Sequence, residues 1–310
     1  MTEHLDPAAI ERAYEKIGRH IRLTPVLRSS GVEFSVGDFP LTFKLEQTQH
    51  SGSFKVRGAF TNLLLRDIPP SGVVAASGGN HGAAVAYAAS KLNVPAHIFV
   101  PTVSSQAKID RIRRSGAQLT VGGDRYADAL AASEDYAART NALRIHAFEQ
   151  RETILGQGTL ALELSRQAPD LDTVLVAVGG GGLISGVASW FQGRVKVIGV
   201  EPVLAPTLTD ALIAGEPVDA PAGGVAADSL APRRIGTTAF AVAKTYVDRV
   251  VLVEDDDIIR AQAVLWETLR LVAEPGGATA LAALLSRAYV PAADEHVAVI
   301  ICGGNTTLTL

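Results

Sequence analysis

Residues 173–191 read TVLVAVGGGGLISGVASWF, and this stretch decides the fold class. Most of its first six residues are apolar and β-branched, which is typical of a strand buried on both faces of a sheet. Four glycines follow, and a run with helical period then extends from Leu183 to Phe191. A buried strand that enters a helix through a short loop predicts an α/β fold, in which helices cover the faces of a sheet.

The same alternation continues in both directions along the chain. Short β-branched runs predict strands, and longer runs rich in Ala and Leu predict the helices between them. The predicted strands are Thr42–Leu45, Val73–Ala76, Ala96–Val100, Gln118–Val121, Thr173–Val178, Val195–Glu201, Val250–Glu254 and His296–Cys302. The predicted helices are Asp6–His20, Gly82–Leu92, Ser104–Ser115, Tyr126–Asn141, Gly158–Ala168, Leu183–Phe191, Asp256–Leu271 and Gly277–Arg287. Helices of this length can cross over a sheet, so parallel strands are expected.

The glycine run Gly179–Gly182, called the glycine loop below, is suited to binding an anion. Glycines leave the backbone N–H groups accessible at the start of a helix, where the helix dipole favours negative charge, so a phosphate could bind. The spacing matches neither the dinucleotide fingerprint GxGxxG nor the P-loop pattern GxxxxGK[ST]. A flexible tight turn with no ligand is the alternative interpretation.

The segment SGGNHG, residues 77–82, also joins a predicted strand to a predicted helix. Its hydroxyl, amide and backbone N–H groups would meet at the carboxyl edge of the sheet, an arrangement that suits a carboxylate ligand. Alternatively, Asn80 or Ser77 only caps the helix that follows.

Two further residues could carry chemistry. Lys55 lies within SGSFKVRGA, residues 51–59, whose small and apolar side chains could strip water from its amine and lower the pKa. A desolvated lysine can form a Schiff base, whereas most lysines are solvated surface charges. Cys302 ends an apolar strand and could be only a small buried hydrophobe.

The composition excludes several classes of partner. The 310 residues include 28 Lys and Arg against 32 Asp and Glu, without a basic cluster, so we expect no nucleic-acid partner. The uncharged run 174–191 is interrupted by glycines, so we expect no membrane partner. The single cysteine excludes an internal disulfide and a multi-thiolate metal site. Because Met1–Asp6 also lacks an apolar run, the sequence predicts a cytoplasmic protein.

In this order and spacing, these segments resemble the fold-type II pyridoxal-phosphate enzymes, and more closely the threonine/serine dehydratase and serine racemase family. The similarity extends along the chain through LTPV at 23–26, FKLEQ at 43–47, GQGT at 156–159 and CGGN at 302–305. It implies a two-domain fold of the tryptophan synthase β type, with each domain a sheet covered by helices. Residues 1–71 and 145–310 would form a large cofactor-binding domain, and residues 72–144 an inserted small domain.

The resemblance also implies a role for each motif around a pyridoxal 5′-phosphate cofactor. Lys55 would be the catalytic lysine, Gly179–Leu183 would hold the phosphate, Asn80 the 3′-oxygen, and Cys302 would face the pyridine nitrogen. The implied cofactor-binding residues are Phe54, Lys55, Asn80, Gly179, Gly180, Gly181, Gly182, Leu183, Glu274 and Cys302. The implied substrate-binding residues are Ser77, Gly78, Asn80, His81 and Ser229.

The activity implied is conversion of an L-β-hydroxy amino acid, threonine or serine, to a 2-oxo acid and ammonia by a homodimer or larger homo-oligomer. A neutral thiol at Cys302 would favour elimination over transamination, because a carboxylate there would keep the pyridine nitrogen protonated. The alternatives are an amino-acid racemase, a dehydratase for a specialised hydroxy amino acid of a catabolic pathway, and a non-catalytic anion-binding module.

Several positions depart from the family pattern. Serine racemases carry a serine where this chain has Gly78, so dehydration is expected to dominate over racemisation. The racemase-like metal site would fall on Glu201, Ala205 and Thr207 and would lose one carboxylate, so no metal is predicted. Ser229 stands where relatives usually have glycine, which leaves the preferred substrate open. Because the chain ends at Leu310, we expect no C-terminal regulatory domain.

Overall fold

The computed structural model describes residues 5–104 and 106–306, which form two sheets covered by helices. The predicted α/β class is therefore confirmed. The terminal segments 1–4 and 307–310, on which the expectations about export and a regulatory domain partly depend, lie outside the described residues.

The described chain alternates between helices and strands almost throughout. The helices are α1 Pro7–Ile17, α2 Lys55–Leu65, α3 Asn80–Lys91, α4 Gln106–Arg114, α5 Tyr126–Thr140, α6 Arg151–Gln167, α7 Gly182–Phe191, α8 Thr207–Ala214, α9 Ala227–Leu230, α10 Thr237–Tyr246, α11 Asp255–Leu269 and α12 Pro275–Leu285. The strands are β1 Val26–Ser30, β2 Pro40–Leu45, β3 Val73–Ala76, β4 Ala96–Val100, β5 Gln118–Val121, β6 Leu143–Arg144, β7 Thr173–Ala177, β8 Lys196–Pro202, β9 Arg249–Val253 and β10 Val297–Ile301. Short 3₁₀ turns lie at Gly31–Phe34, Glu46–Thr48 and His50–Gly52.

The larger sheet has six strands in the order β1-β2-β10-β7-β8-β9. Strand β1 is antiparallel to β2, and the remaining neighbours are parallel. β7 and β10 are buried at every residue, as expected for parallel strands that are covered on both faces. This sheet brings the two ends of the described chain together, because β2 pairs directly with β10.

The smaller sheet is parallel, with the order β5-β4-β3-β6, and it is built from residues 73–144. Successive side chains of a strand point to opposite faces. Val73 and Ala75 accordingly pack with the alanines of α3, whereas Val74 packs with Ala129 and Ala137 of α5. Helices therefore cover both faces of this sheet.

The hydrophobic core around the smaller sheet also includes side chains from outside residues 72–144. Val56, Phe60 and Leu63 of α2 and Ile17 of α1 belong to this core. Helix α2, which begins at Lys55, is thus packed against the smaller sheet as well as against α6. The domain boundaries at residues 72 and 144 stay a prediction.

The predicted boundaries of β3, β4 and β5 are confirmed, but the helices α8, α9 and α10 and the strands β1 and β6 are not predicted from sequence. Helix α2 is not predicted, and α6 begins at Arg151 rather than at Gly158. Gly156 reads as a helix breaker from sequence. In the structure a Cβ on Gly156 would lie 2.6 Å from the Cα of Gly58, so these glycines instead allow α2 and α6 to pack closely.

Both sheets direct the carboxyl ends of their parallel strands toward the predicted motifs. The Ser77 segment follows β3, the glycine loop follows β7, and Cys302 follows β10. Ligands of α/β proteins bind at this edge. Among the described residues, none of the helices has both the length and the apolar character that crossing a bilayer requires.

Candidate active site

Lys55 is the first residue of α2, and its side chain is half-buried. The Nζ atom donates a hydrogen bond to the carbonyl of Ala147 at 3.2 Å and lies 5.0 Å from the centre of the Phe54 ring. Desolvation lowers the pKa of Lys55 to about 8, against the opposing influence of Cys302 and Glu274. The interpretation of Lys55 as a solvated surface charge is therefore wrong.

The backbone around Lys55 is attached to the end of β10. The N–H of Phe54 donates to the carbonyl of Cys302 at 3.1 Å, and Ser53 pairs with Gly303 in an isolated bridge. These contacts bring Lys55 and Cys302 to the same place, although 247 positions separate them in the sequence.

Cys302 is buried, and its Sγ donates to the carbonyl of Gly276 at 3.3 Å. Burial raises the pKa of the thiol, and the nearby Glu274 carboxylate acts in the same direction. The thiol is therefore neutral at working pH, as the elimination hypothesis requires.

Asn80, Glu274 and Asn305 form a continuous hydrogen-bonded chain. The amide nitrogen of Asn80 donates to Glu274, and its amide oxygen accepts from Asn305 at 2.6 Å. Asn305 also donates to the carbonyl of Ser51 at 2.8 Å. Burial raises the pKa of Glu274. Because an amide nitrogen carries two hydrogens, Asn80 retains one donor for a ligand.

The Ser77 segment does not cap α3 through a side chain. The helix begins at Asn80 after Gly79, and no side-chain capping bond is present, so the capping interpretation is wrong. Ser77 Oγ instead accepts from the N–H of Gly79 at 3.1 Å. A Cβ on Gly78 would overlap with the hydroxyl of Ser104, which lies on the loop after β4.

The ring of His81 is held by a backbone carbonyl. The side chain is buried, and Nε2 is 2.9 Å from the carbonyl of Ile145. Burial lowers the pKa of His81 to about 3, and the Lys55 cation acts in the same direction. The ring is therefore neutral, and its Nε2 is held by a backbone acceptor.

The glycine loop passes between three other segments. A Cβ on Gly180 would overlap with the ring of Phe148, and one on Gly181 would lie 2.5 Å from the Cβ of Ala239. Gly181 also has a φ of +89°, which glycine adopts without strain. Helix α7 starts at Gly182 without a side-chain cap, so its first N–H groups have no partner within the helix.

Ser229 lies on α9, beside the start of α12. A Cβ on Gly276 would overlap with the Ser229 hydroxyl, so this serine stands directly against the residue whose carbonyl accepts from Cys302. The structure therefore brings Ser229 close to Cys302 and Glu274.

Comparison with known proteins agrees with this arrangement. The family model described as pyridoxal-phosphate dependent enzyme matches residues 17–303. The chain belongs to this family. It is 35% identical to the L-threonine ammonia-lyase of Geobacter sulfurreducens over 96% of this chain and 74% of that protein. It is 36% identical to a phenylserine dehydratase of Ralstonia pickettii over 97% of this chain and 93% of that protein.

The solved structure of maize serine racemase superposes on this pyridoxal-phosphate enzyme with a TM-score of 0.92 and 33% identity, covering 98% of this chain and 94% of that one. The recognition from sequence, the fold-type II fold and the cofactor are thereby confirmed. The relatives divide between dehydratases and racemases, so family membership leaves the reaction to be argued from the site.

The residues present fit pyridoxal phosphate. The uncapped start of α7 offers several N–H donors and the positive end of a helix dipole, which suit a phosphate dianion. The desolvated amine of Lys55 suits an aldehyde, and the neutral thiol of Cys302 suits an unprotonated ring nitrogen. No other cofactor chemistry is needed to explain this donor set.

Sequence reasoning missed two contributors to the site. Asn305 orients Asn80, and the CGGN motif contained this signal without showing which side chain it would contact. The Ala147 carbonyl is the acceptor for Lys55, and no sequence pattern marks a backbone oxygen. Among the described residues, no group of three or more His, Cys, Asp or Glu side chains is placed to hold a metal ion.

Proposed function

We propose that this enzyme converts an L-β-hydroxy amino acid to a 2-oxo acid and ammonia, with threonine and serine as the expected substrates. The Cα proton and the β-hydroxyl leave as water, and one water is added back when ammonia departs from the enamine product. The observation that carries the proposal is the desolvated amine of Lys55 at an edge where position 78 has no side chain.

We assign the cofactor-binding roles as follows. The N–H groups of Gly179–Leu183 hold the phosphate, the free amide hydrogen of Asn80 donates to the 3′-oxygen, and the Cys302 thiol lies at the pyridine nitrogen. Glu274 keeps Asn80 in the required orientation. When bound, pyridoxal phosphate supplies an electron sink for the negative charge that develops at the substrate Cα.

Lys55 acts as the base that removes the Cα proton. A pKa of about 8 leaves a useful fraction of the amine neutral at pH 7, whereas an ordinary lysine would be almost fully charged. Phe54 packs beside the amine and helps to exclude water from it. The substrate carboxylate binds at Ser77, Gly78, Asn80 and His81, the last through its backbone, and Ser229 borders the substrate.

Cys302 favours elimination over other outcomes of the same deprotonation. A neutral thiol does not keep the pyridine nitrogen protonated, so charge at Cα is best relieved by expulsion of the β-hydroxyl.

A second candidate function, amino-acid racemisation, is supported by Ser104. Its hydroxyl occupies the space that a side chain at position 78 would fill, so a hydroxyl is present at this point although residue 78 is glycine. Racemisation requires a proton donor on the face of the substrate opposite Lys55. Ser104 is the residue to test for that role.

The test is an assay of the purified enzyme, supplemented with pyridoxal phosphate, on L-threonine, L-serine, L-phenylserine and the D-forms of the first two. We expect equal amounts of 2-oxo acid and ammonia from at least one L-substrate. D-serine formed from L-serine without ammonia would instead establish the racemase. Cofactor binding without product from any of the five would reject these substrates and favour a specialised hydroxy amino acid.

We also propose that the enzyme works in the cytoplasm as a homodimer or larger homo-oligomer. Light scattering on the holoenzyme tests the second point, and a mass equal to one chain would refute it.

A further inference from the structure

One buried carboxylate, Glu201, lies at the end of β8 against the first turn of α8. Its Oε1 accepts from the N–H of Leu208 at 2.7 Å. Its Oε2 accepts from the N–H and the hydroxyl of Thr209 at 2.9 and 2.7 Å. The hydroxyl of Thr207 contacts Oε1 at 3.2 Å. Four donors therefore face a group that offers about four lone-pair directions.

Thr207 also contacts the glycine loop. Its hydroxyl is 3.0 Å from the carbonyl of Gly179, and the residue is fully buried. A hydroxyl has one proton, so Gly179 and Glu201 share it in a three-centre arrangement. Thr207 is thus a side chain that connects Glu201 to the first residue of the loop.

A divalent cation does not fit this corner. Hard cations require several oxygen ligands, commonly more than one of them charged. Here Glu201 is the one carboxylate among Glu201, Ala205 and Thr207, and donors from α8 already surround its oxygens. Burial raises the pKa of Glu201, and the hydrogen bonds from Leu208, Thr209 and Thr207 act against this rise from the positions where cation ligands would have to be free.

We propose that Thr207 is a positioning residue of the cofactor site, which holds the first carbonyl of the glycine loop with the support of Glu201, and that this corner needs no divalent cation. The inference rests on the phosphate-binding role proposed for the loop. Thr207 acts on the cofactor only through Gly179.

The first experiment compares Thr207→Val with Thr209→Val in the full chain. Both variants remove a hydroxyl that contacts Glu201, but Thr209 has no hydrogen bond to the glycine loop among the described residues. We expect Thr207→Val to weaken pyridoxal phosphate binding by about 3- to 10-fold, as for loss of one neutral hydrogen bond, and Thr209→Val to leave it within about 2-fold. Thr207→Ser should restore binding.

The dissociation constant is measured by absorbance titration of the apoprotein, and its melting temperature reports folding separately. Equal weakening in Thr207→Val and Thr209→Val, or no weakening in Thr207→Val, would overturn the positioning role. Thr207→Ala serves if the valine variant does not fold. Failure of the unmodified chain to bind pyridoxal phosphate would instead refute the role of the loop itself.

The second experiment compares chelator-treated protein with the same protein in millimolar MgCl₂ or CaCl₂. We expect unchanged cofactor affinity and an unchanged melting temperature of the apoprotein. An increase in either quantity on addition of a cation would overturn the claim that this corner is independent of cations.

Discussion

Two lysines of this enzyme are both desolvated, but they differ in the hydrogen-bond acceptors around their amines. Lys44 is fully buried, and its Nζ donates to Glu163 at 2.8 Å, to the Thr24 carbonyl at 2.9 Å and to Gln167 at 2.8 Å. Within residues 5–104 and 106–306, the acceptor found for Lys55 is the Ala147 carbonyl at 3.2 Å. Three acceptors hold the amine of Lys44, whereas the scarcity of acceptors leaves the amine of Lys55 available as a base.

The pKa shifts of the two amines follow from these surroundings. Desolvation lowers the pKa of both, but Glu46 and Glu163 oppose it at Lys44. At Lys55 desolvation is the largest influence, and the pKa falls to about 8. Buried charge is tolerated when it is paired and hydrogen-bonded, so the difference in partners separates a structural lysine from a reactive one.

The buried charges of Lys44, Arg57, Glu46 and Glu163, called the buried ion network below, nevertheless help to position Lys55. Arg57, two residues beyond Lys55 on α2, is fully buried and donates to Glu46 and to Glu163, each through two contacts of 2.8 Å. These bonds connect the first turn of α2 to the 3₁₀ turn that follows β2 and to α6. The backbone of Lys55 is therefore fixed while its amine has few partners.

The largest expected effect comes from comparing Lys55→Ala with Lys44→Met. We expect Lys55→Ala to lose at least about 10²- to 10⁴-fold of the turnover rate, because it removes the base, and to lose its cofactor on dialysis. Lys44→Met should retain the visible absorbance of bound cofactor but unfold more easily. Cofactor that survives dialysis in Lys55→Ala would contradict the role of this lysine.

Breaking the buried ion network should lower the free energy of unfolding rather than the turnover rate. Glu163→Gln leaves Lys44 and Arg57 with less negative charge, and we expect it to lower the free energy of unfolding by about 3–5 kcal/mol. Urea denaturation of the apoprotein measures this loss. The control is Glu134→Gln, at a half-exposed pair with Arg144, which should cost no more than about 1 kcal/mol. If both variants lose the same free energy of unfolding, the buried ion network contributes no more to stability than a half-exposed pair.

The pKa of Lys55 predicts how covalent cofactor attachment depends on pH. Only the neutral amine attacks the aldehyde, so the attachment rate should rise about tenfold per pH unit below 8 and level off above it. A rate that keeps rising toward pH 10.5, the ordinary lysine value, would show that the amine is solvated. The same shift makes the folded apoprotein less stable as pH falls from 10.5 to about 8, because the unfolded chain binds this proton more tightly.

The smallest expected effect concerns the face opposite Lys55. Gly78→Ser alone should add little D-amino-acid output, because the new Cβ would overlap with the Ser104 hydroxyl. Combined with Ser104→Gly, it should add measurable racemisation of L-serine, followed by chiral chromatography. Ser104→Gly alone is the control. If that variant loses racemisation that the unmodified enzyme performs, Ser104 is the donor on this face.

Elements with strong local signals were predictable. The bounds of β3, β4 and β5 agree with the predicted runs. Strand β3 is apolar and buried at every residue, as expected for a parallel strand covered on both faces, whereas β5 is a largely exposed edge strand. Strand β1 was missed, since its sequence VLRSS is polar over half its length and it lies at the edge of the sheet. Helix α2 was missed because Gly58 and the mixed side chains around it obscure the helical period.

In the candidate site, too, residues with a local sequence signal were predictable and contacts between distant segments were not. The glycine loop, Asn80 and Cys302 stand out because each motif follows a strand, and parallel strands end at one edge. Lys55 stands out instead by the small and apolar residues around it. The chain of Asn305, Asn80 and Glu274 could not be predicted, since it joins segments from distant parts of the sequence.

The sequence by itself therefore determined the fold class, the family, the cofactor and the motifs that surround it. The fold class and the motifs follow from local composition and spacing, whereas the family and the cofactor follow from the resemblance of those motifs to the fold-type II pyridoxal-phosphate enzymes. Only the tertiary structure decided that Lys44 has several buried acceptors while Lys55 has few, that Ser104 fills the space beside Gly78, and that Thr207 connects Glu201 to Gly179. Each of these depends on which distant groups burial brings into contact, because partners and desolvation, not residue type, set the behaviour of a polar side chain.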